Sequence, residues 1–452
     1  MATGGGMAAD QKIGTHQKAL SINLDISKFG SFAEIGAGQE VARWFLIVGG
    51  ASGTVAKTIS AYDKEVSDDL YGRGTRYVSQ PRLQAMMERE WKQLLAELQA
   101  TRGATTKFFA FVDTISARNF AGTNESHGWV GVRFQQQPGG PANDVILHIN
   151  LQDPTNLQQQ EAVGILGVNL IYSVFHRTGS AEEFLSGLFE DLSLERIEID
   201  FVELRGPAFD NWDRRRLHAA LVVNGYAEAV AFTADGDMIP PTELLYKKAM
   251  VLAPGLFENV SELHAQLIKT TLAQVPQEEI AESKGSLGMF CLSTQSQAGA
   301  SAPPTAEHLE QRVVELQKLG FGTMVVRARE LYRMSEYVSR YTKSRVHFAV
   351  GLSVMIYTLQ DRYRSLAGAV LEATGRLFSH NVRLSAYPMT EGALRARLEE
   401  LGAKWNYKVT DGLVYAEDLQ PEEPLHSLFR YLLGSGFIVS ARPGMKVESD
   451  GD

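Results

Sequence analysis

The chain has 452 residues, 44% hydrophobic and 21% charged, the balance of an ordinary folded protein with room for two or three domains. A formal net charge of −9 argues against non-specific binding to nucleic acid or to an anionic membrane surface. The single cysteine, Cys291, excludes an intrachain disulfide and sits in an apolar run, and ten scattered histidines give no zinc spacing.

Residues 1–18 are small and polar and read as a disordered tail. Over 19–26, Leu20, Ile22, Leu24 and Ile26 alternate, which predicts a strand. Val41, Trp44, Phe45 and Val48 then fall at helical spacing ahead of a glycine-rich turn. Pro81 and the stripe Leu83, Met86, Met87, Trp91, Leu94, Leu95 and Leu98 predict a helix over 81–101. A buried strand over 107–114 follows. Two alternating segments, 127–135 and 144–150, flank a turn-rich connection and predict a hairpin, hence a mixed sheet. Residues 157–176 read as a mostly buried helix. Ser180 with Glu183 opens another over 181–192.

A strand at 196–204, a helix ending at Asn224-Gly225 and a strand at 228–233 predict a parallel, right-handed βαβ unit. A strand at 249–253, a helix at 260–273 and a strand at 288–292 complete a first domain over 19–294. Residues 295–304 read as a linker. A second domain over 305–443 alternates helices with strands at 323–327, 346–356, 381–387, 409–416 and 437–441, and 444–452 form a tail. The expected class is α/β: two α/β domains, with a mixed sheet and at least one parallel βαβ unit in the first.

The stretch 36–63 carries the densest glycine use beside an apolar run. Gly50, Gly53, Lys57 and Thr58 are the residue types of a phosphate loop, where glycine lets the backbone approach oxygen atoms closely. Their spacing is not that of the Walker motif, because Ala56 stands where its last glycine belongs, and Gly49, Gly50 and Gly53 do not make a dinucleotide fingerprint. The other reading of Gly49-Gly50 is a helix C-cap. Ligands on open α/β sheets bind beyond the carboxyl ends of parallel strands. Strand tips at Asp113, Asp235 and Asp237 are therefore candidates for a divalent cation such as Mg²⁺, and Lys247 and Lys248 for neutralising phosphate. Turn formation is the plainer reading of the Asp235–Asp237 pair. His127 and His148 fall on the two hairpin strands, where satisfied structural histidines are the plainer reading. The basic run 327–345, with Tyr332, Tyr337 and Tyr341, reads either as an anion or acidic-partner surface or as a solvated helix face.

The segments SINLDISKFGSFAEIGAGQEVARWF, GGASGTVAKTISAYD and FTADGD with LYKK resemble an uncharacterised bacterial protein family, over most of the chain. Automatic pipelines label its members nicotinate-nucleotide adenylyltransferase or TonB-dependent receptor. The first label implies a G-x-x-x-P-x-H-x-G-H element, which this sequence does not contain. The second implies an export signal and a period-two barrel pattern, and neither is present. The resemblance therefore implies an α/β protein and transfers no catalytic residue.

The N-terminus lacks a basic start followed by an apolar run, and the apolar stretch 162–175 is shorter than the ~20 residues of a membrane span. The expected setting is cytoplasmic, with neither nucleic acid nor membrane as partner. The leading functional expectation is a protein that binds a phosphorylated or nucleotide-like ligand, with phosphoryl or nucleotidyl transfer as its chemistry if it is an enzyme. The alternative is a non-catalytic, homo-oligomeric scaffold.

Overall fold

A computed structural model of the chain describes residues 13–122, 124–295, 303–360, 363, 365–379 and 381–443. The chain divides into two compact units, Met1–Ala227 and Glu228–Asp452. In the first, α1 (Thr15–Leu24), β1 (Lys28–Ile35), α2 (Glu40–Ile47), β2 (Val55–Ile59), α3 (Lys64–Tyr71) and α4 (Gln80–Arg102) come first. β3 (Lys107–Ser116), β4 (His127–Gln135), β5 (Ala142–Leu151), α5 (Asn156–His176), α6 (Ala181–Leu188), β6 (Ile197–Arg205) and α7 (Arg214–Val223) follow.

The sheet order is β2-β1-β3-β4-β5-β6. β2, β1 and β3 run parallel, and β3 to β6 form an antiparallel meander. β1 is buried along almost its whole length because helices cover both faces. On one face Phe29 and Phe108 pack with Trp91 and Leu94 of α4. On the other, Phe32 meets Phe45 of α2, and Phe109 meets Phe175 of α5. A strand buried on both faces shows no alternation, which hid β1 from the periodicity reading.

The second unit contains β7 (Ala229–Phe232), β8 (Met238–Ile239), α8 (Pro241–Leu245), β9 (Ala249–Gly255), α9 (Glu262–Ala273), α10 (Gln277–Ala281) and β10 (Ser286–Ser293). Next come α11 (Ala306–Gln317), β11 (Gly322–Val326), α12 (Leu331–Val338), β12 (Val346–Gly351), α13 (Leu352–Leu359), α14 (Ala369–Phe378) and β13 (Val382–Tyr387). The last elements are β14 (Met389–Thr390), α15 (Glu391–Leu401), β15 (Trp405–Tyr407), β16 (Leu413–Val414), β17 (Leu419–Pro421), α16 (Leu425–Gly434) and β18 (Ile438–Ser440).

Its main sheet has the order β18-β13-β12-β9-β10-β11-β7-β8. The six strands from β18 to β11 are parallel, and β7 and β8 are added antiparallel at the β11 edge. Counted from β9, the parallel strands lie in the order 3-2-1-4-5-6, the doubly wound arrangement. Met250, Leu252, Cys291, Met324 and Phe348 form one core with Tyr332 of α12, Met355 of α13, Leu377 of α14, Leu394 of α15 and Phe429 of α16. The fold is α/β in both units, with mixed sheets and parallel strands.

Four readings of the sequence are corrected. Residues 19–24 are helical and not a strand: α1 buries Thr15, Lys18, Ala19, Ile22 and Asn23, a helical set whose polar members an apolar pattern assigns to solvent. Leu24 and Ile26, which completed the alternation, are exposed. The strands at 196–204 and 228–233 do not pair, since β6 and β7 belong to different sheets, and the parallel βαβ of the first unit is β1-α2-β2. The unit boundary falls after Ala227, not at 295–304, because β10 and β11 on either side of that stretch are parallel neighbours. The strand at 346–356 is two elements, with α13 starting directly after Gly351. The 1–18 and 444–452 tails lie mostly outside the described residues, and α1 already begins at Thr15.

Lys18 shows why α1 docks as it does. Its ammonium is fully buried, 2.6 Å from Asn169 Oδ1 and 2.5 Å from Glu190 Oε2. Without Lys18, Asn169 Oδ1 loses its donor, while Glu190 keeps Arg177 at 2.7 Å. A buried polar group left unpaired costs on the order of 1–3 kcal/mol, so Lys18→Ala should cost about that much in urea unfolding, and a loss within experimental error would contradict this docking.

Candidate functional site

The glycine turn serves α2. Gly49 and Gly50 take positive φ values of 88° and 74° at the helix end. Asn23 Nδ2 donates to the carbonyls of Phe45 and Gly49, both at 2.7 Å, so the last turn is capped from α1. Gly53 ends a short 3-10 turn beside Asn23. Lys57 and Thr58 lie on the edge strand β2. The Lys57 ammonium is 2.6 Å from Glu90 and 2.8 Å from Gln93 of α4, and Thr58 Oγ1 accepts from Gln39 Nε2. The C-cap reading of the turn holds, and the lysine is already paired.

β2 and β3 flank β1 on opposite sides, so the first unit has a reversal of strand order between β1 and β3. Its own side chains fill it. Glu34, 1% exposed, accepts from the Val41 and Ala42 amides at 2.9 and 3.0 Å. These are amides of the first turn of α2, where an anion is ordinarily welcome. Asp113, fully buried and in register with Glu34, accepts from Ile35 N–H with one oxygen, and the other has no partner. Burial pushes Glu34 up to about 7, and burial together with Glu34 holds Asp113 well above the usual carboxylate range. Asp113 is thus held protonated, a poor state for a cation ligand. Gly36, at φ 103°, closes the approach: a Cβ there would lie 1.8 Å from the Ile115 carbonyl oxygen.

A second buried array crosses β4, β5 and β6. Asp200 Oδ1 is 2.6 Å from His148 Nδ1, and His148 Nε2 is 3.1 Å from His127 Nδ1. Asn150 Nδ2 donates to the other oxygen of Asp200 at 2.8 Å. Burial, with His148 alongside, pushes His127 down to about 4 and so keeps it neutral at pH 7. The two histidines were legible as strand neighbours. Asp200 was not singled out, although acids at 198 and 200 inside an apolar strand were the available signal.

In the second unit the order reverses between β9 and β12, and there the carboxyl edge is open. A cavity of about 570 Å³ lies against the ends of β9, β12 and β13, with Gly255, Phe257, His264, Gly351, Ser353 and Tyr387 in its wall. Its remaining walls are chiefly aliphatic. A smaller cavity of about 190 Å³ adjoins it and shares Pro254, Gly255, Leu256 and Val354. Sequence reasoning missed these residues. The signal was Gly351 inside an unbroken apolar run, where the strand gives way to a helix with no loop. Two helices begin at this edge. That of α9 is closed by its own residues, since the Ser261 amide donates to His264 Nδ1 at 3.1 Å. That of α13 has Gly351 as N-cap and no side-chain cap.

Asp235, Asp237, Lys247 and Lys248 lie at the opposite, amino edge. β7 runs antiparallel to β11, so its tip at Phe232 adjoins the start of β11 at Thr323. Asp235 and Asp237 belong to the β7–β8 turn, which Thr233 organises by bonding to the Asp237 backbone. Lys247 and Lys248 immediately precede β9. Reading that strand as parallel had placed its tip at the wrong edge. Among the described residues, no group of three or more His, Cys, Asp or Glu is placed to hold a metal ion, and no helix is long and apolar enough to cross a membrane. Tyr332, Tyr337 and Tyr341 are buried in the core. Arg376 lies 4.6 Å from the Tyr332 ring. Cys291 is buried, and its thiol is pushed up to about 12.

No protein-family model matches the chain, and no curated protein sequence does. Solved structures similar in part include the competence/damage inducible protein CihA from Agrobacterium tumefaciens, 18% identical with a TM-score of 0.27. That match covers 35% of this chain and 94% of that one. A competence-damaged protein (CinA) superfamily protein from Enterobacter cloacae is 11% identical with a TM-score of 0.27, covering 38% of this chain and 99% of that one.

The Glu34 carboxyl gives a pH test. A carboxyl raised on folding binds its proton more tightly when folded, so its contribution is full below about 4.5 and is lost as pH rises through about 7. Moving it from 4.5 to about 7 corresponds to roughly 3 kcal/mol. Glu34→Gln cannot ionise. Its stability relative to the native chain should therefore improve by that order between pH 4.5 and 8 in urea unfolding, and a difference that does not change with pH would contradict the assignment.

Proposed function

We propose that the second unit binds a small nucleotide-like ligand in the crevice between the carboxyl ends of β9 and β12. The observation that carries this reading is the cavity of about 570 Å³ at the point where the strand order reverses. Doubly wound sheets leave a crevice there because the loops on either side run in opposite directions. The volume is in the range of small-molecule sites, and an apolar wall with few polar groups suits a flat ring. His264 contributes an imidazole whose Nδ1 accepts the Ser261 amide, which leaves Nε2 as the protonated nitrogen. Burial lowers its pKa, so it offers a neutral donor.

In this reading Mg²⁺ arrives with the phosphates of a ligand and is not held by Asp113, Asp235 and Asp237, because Asp113 is protonated and the others lie at the far edge. Lys57 plays no part, being engaged with Glu90. Binding raises the unfolding midpoint by mass action. A thermal-shift screen of nucleoside monophosphates and dinucleotides, with and without Mg²⁺, should find at least one that raises it by several degrees. Ala393, at the cavity wall and exposed on α15, can be enlarged without disturbing the core. Ala393→Trp should abolish the shift, and Lys57→Ala should leave it intact. A shift lost in Lys57→Ala and kept in Ala393→Trp, or no shift with any compound, would overturn the reading.

A further inference from the structure

We propose that His127 of the first unit is a nucleophile for activated acyl groups, its outer nitrogen driven by a proton relay through His148 to Asp200. The three side chains come from β4, β5 and β6. His127 opens β4 and pairs with Ser116, the last residue of β3, so the ladder ends there and the ring is only half-buried. His148 and Asp200 are buried behind it.

An irregularity in the sheet builds the array. β5 and β6 pair His148 with Phe201 but Ile149 with Ile199, so Asp200 is an extra residue, a β-bulge. A bulge re-aims a side chain out of the strand's alternation, and bulges are frequent beside functional sites. The Asp200 carboxylate meets His148 Nδ1 at 2.6 Å, and Asn150 Nδ2 holds its second oxygen at 2.8 Å. The Trp129 ring stands edge-on to His148, with centroids 4.9 Å apart, and fixes the imidazole plane.

These bonds set the tautomers. With Asp200 ionised, His148 donates from Nδ1, so its Nε2 is an acceptor and His127 Nδ1, 3.1 Å away, is the donor. The lone pair of His127 is then on Nε2. That nitrogen makes no hydrogen bond among the described residues and, unlike the unpaired polar atoms of the core, touches solvent. A nucleophile within reach of a base that a third group orients is the arrangement that activates attack.

The relay also solves a problem of charge. Burial, then His148 and Arg76, make the His127 ring a poor place for a positive charge. When Nε2 attacks a carbonyl carbon, the new N–C bond forms as the bond to the leaving group breaks, and that group departs with the electron pair. The Nδ1 proton passes to His148 Nε2. The charge then rests on His148 beside the Asp200 carboxylate, and His127 is left as a neutral acyl-imidazole. Water releases the acyl group as a carboxylic acid, His148 returns its proton to His127, and one proton leaves to solvent. Asp200 and Glu198, both fully buried, share Asn150 behind the ring. Their field disfavours an anionic phosphoryl group and leaves a neutral acyl group unopposed.

Diethyl pyrocarbonate is the probe, an activated acyl donor that loses ethyl carbonate to an imidazole nitrogen. The full chain is treated at pH 8, where exposed imidazoles are neutral, and the rate at each histidine is read by peptide mass spectrometry. His127 should react at least about ten-fold faster than the exposed His16 and His308, the lower end of what a positioned base contributes. Asp200→Asn keeps an acceptor for His148 but no charge. It should remove that excess while the His16 and His308 rates, and the unfolding midpoint of the chain to within a few degrees, hold. His127→Gln, which can still donate to His148, should leave no fast site. His127 reacting no faster than His16 and His308 in the native chain would overturn the proposal without recourse to a variant. A fast His127 in folded Asp200→Asn would overturn the relay, and a fast site that persists in His127→Gln would overturn the assignment of the nucleophile.

Discussion

Crossovers between parallel strands are right-handed, and that single constraint shapes the second unit. From β9 the chain steps outward to β10 and β11, then returns past its start to lay β12, β13 and β18 on the other side. Holding the hand fixed while reversing direction places the helices of the two halves on opposite faces. At the carboxyl ends of β9 and β12 the connections therefore part. The groups that end there, Gly255, Gly351 and Ser353, line a cavity. The core beneath is packed by large apolar residues such as Phe348, Met355 and Phe429, so the opening sits on a rigid floor.

The first unit meets the same constraint and answers it differently. Its reversal, between β1 and β3, brings Glu34 and Asp113 together. Glu34 takes the amides of α2 that an exogenous anion would use, and Asp113 stays protonated beside it. The polar array of His127, His148 and Asp200 is likewise satisfied internally. Buried polar groups that find partners inside the protein contribute specificity of structure. The two units thus differ at the reversal of strand order, which buried side chains fill in one and a cavity occupies in the other.

How much of this was legible in the sequence depends on which physical signal each element carries. Helix α4, with its Leu83 to Leu98 stripe and an exposed opposite face, was readable from periodicity and its first-turn proline. The hairpin β4–β5 was readable from alternation around a turn-rich connection although both strands are almost wholly buried, and α5 from the length of its apolar run. β1 was not readable, because burial on both faces leaves no alternation. α1 was misread because Lys18 and Asn23 face inward, which no hydropathy pattern anticipates. The candidate site suffered most. A strand tip marks a binding edge only if the strand is parallel, and β7, which carries Asp235 and Asp237 beyond its tip, is antiparallel. Strand order is set by pairing between distant segments, so the location of the crevice lies beyond local spacing. Gly351 becomes notable only once β9 and β12 are known to be neighbours.

The most direct test is a methyl-resolved NMR titration of the full chain with the nucleoside monophosphate that gives the largest thermal shift. Leu256, Leu263, Val350, Val354 and Met389 surround the crevice and come from three separate stretches of the sequence. Their signals should move together and saturate with one binding constant, while Val55, Ile59 and Ile35 of the first unit stay in place. Shifts confined to Val55 and Ile59 beside Lys57, with the five crevice signals unmoved, would contradict the account.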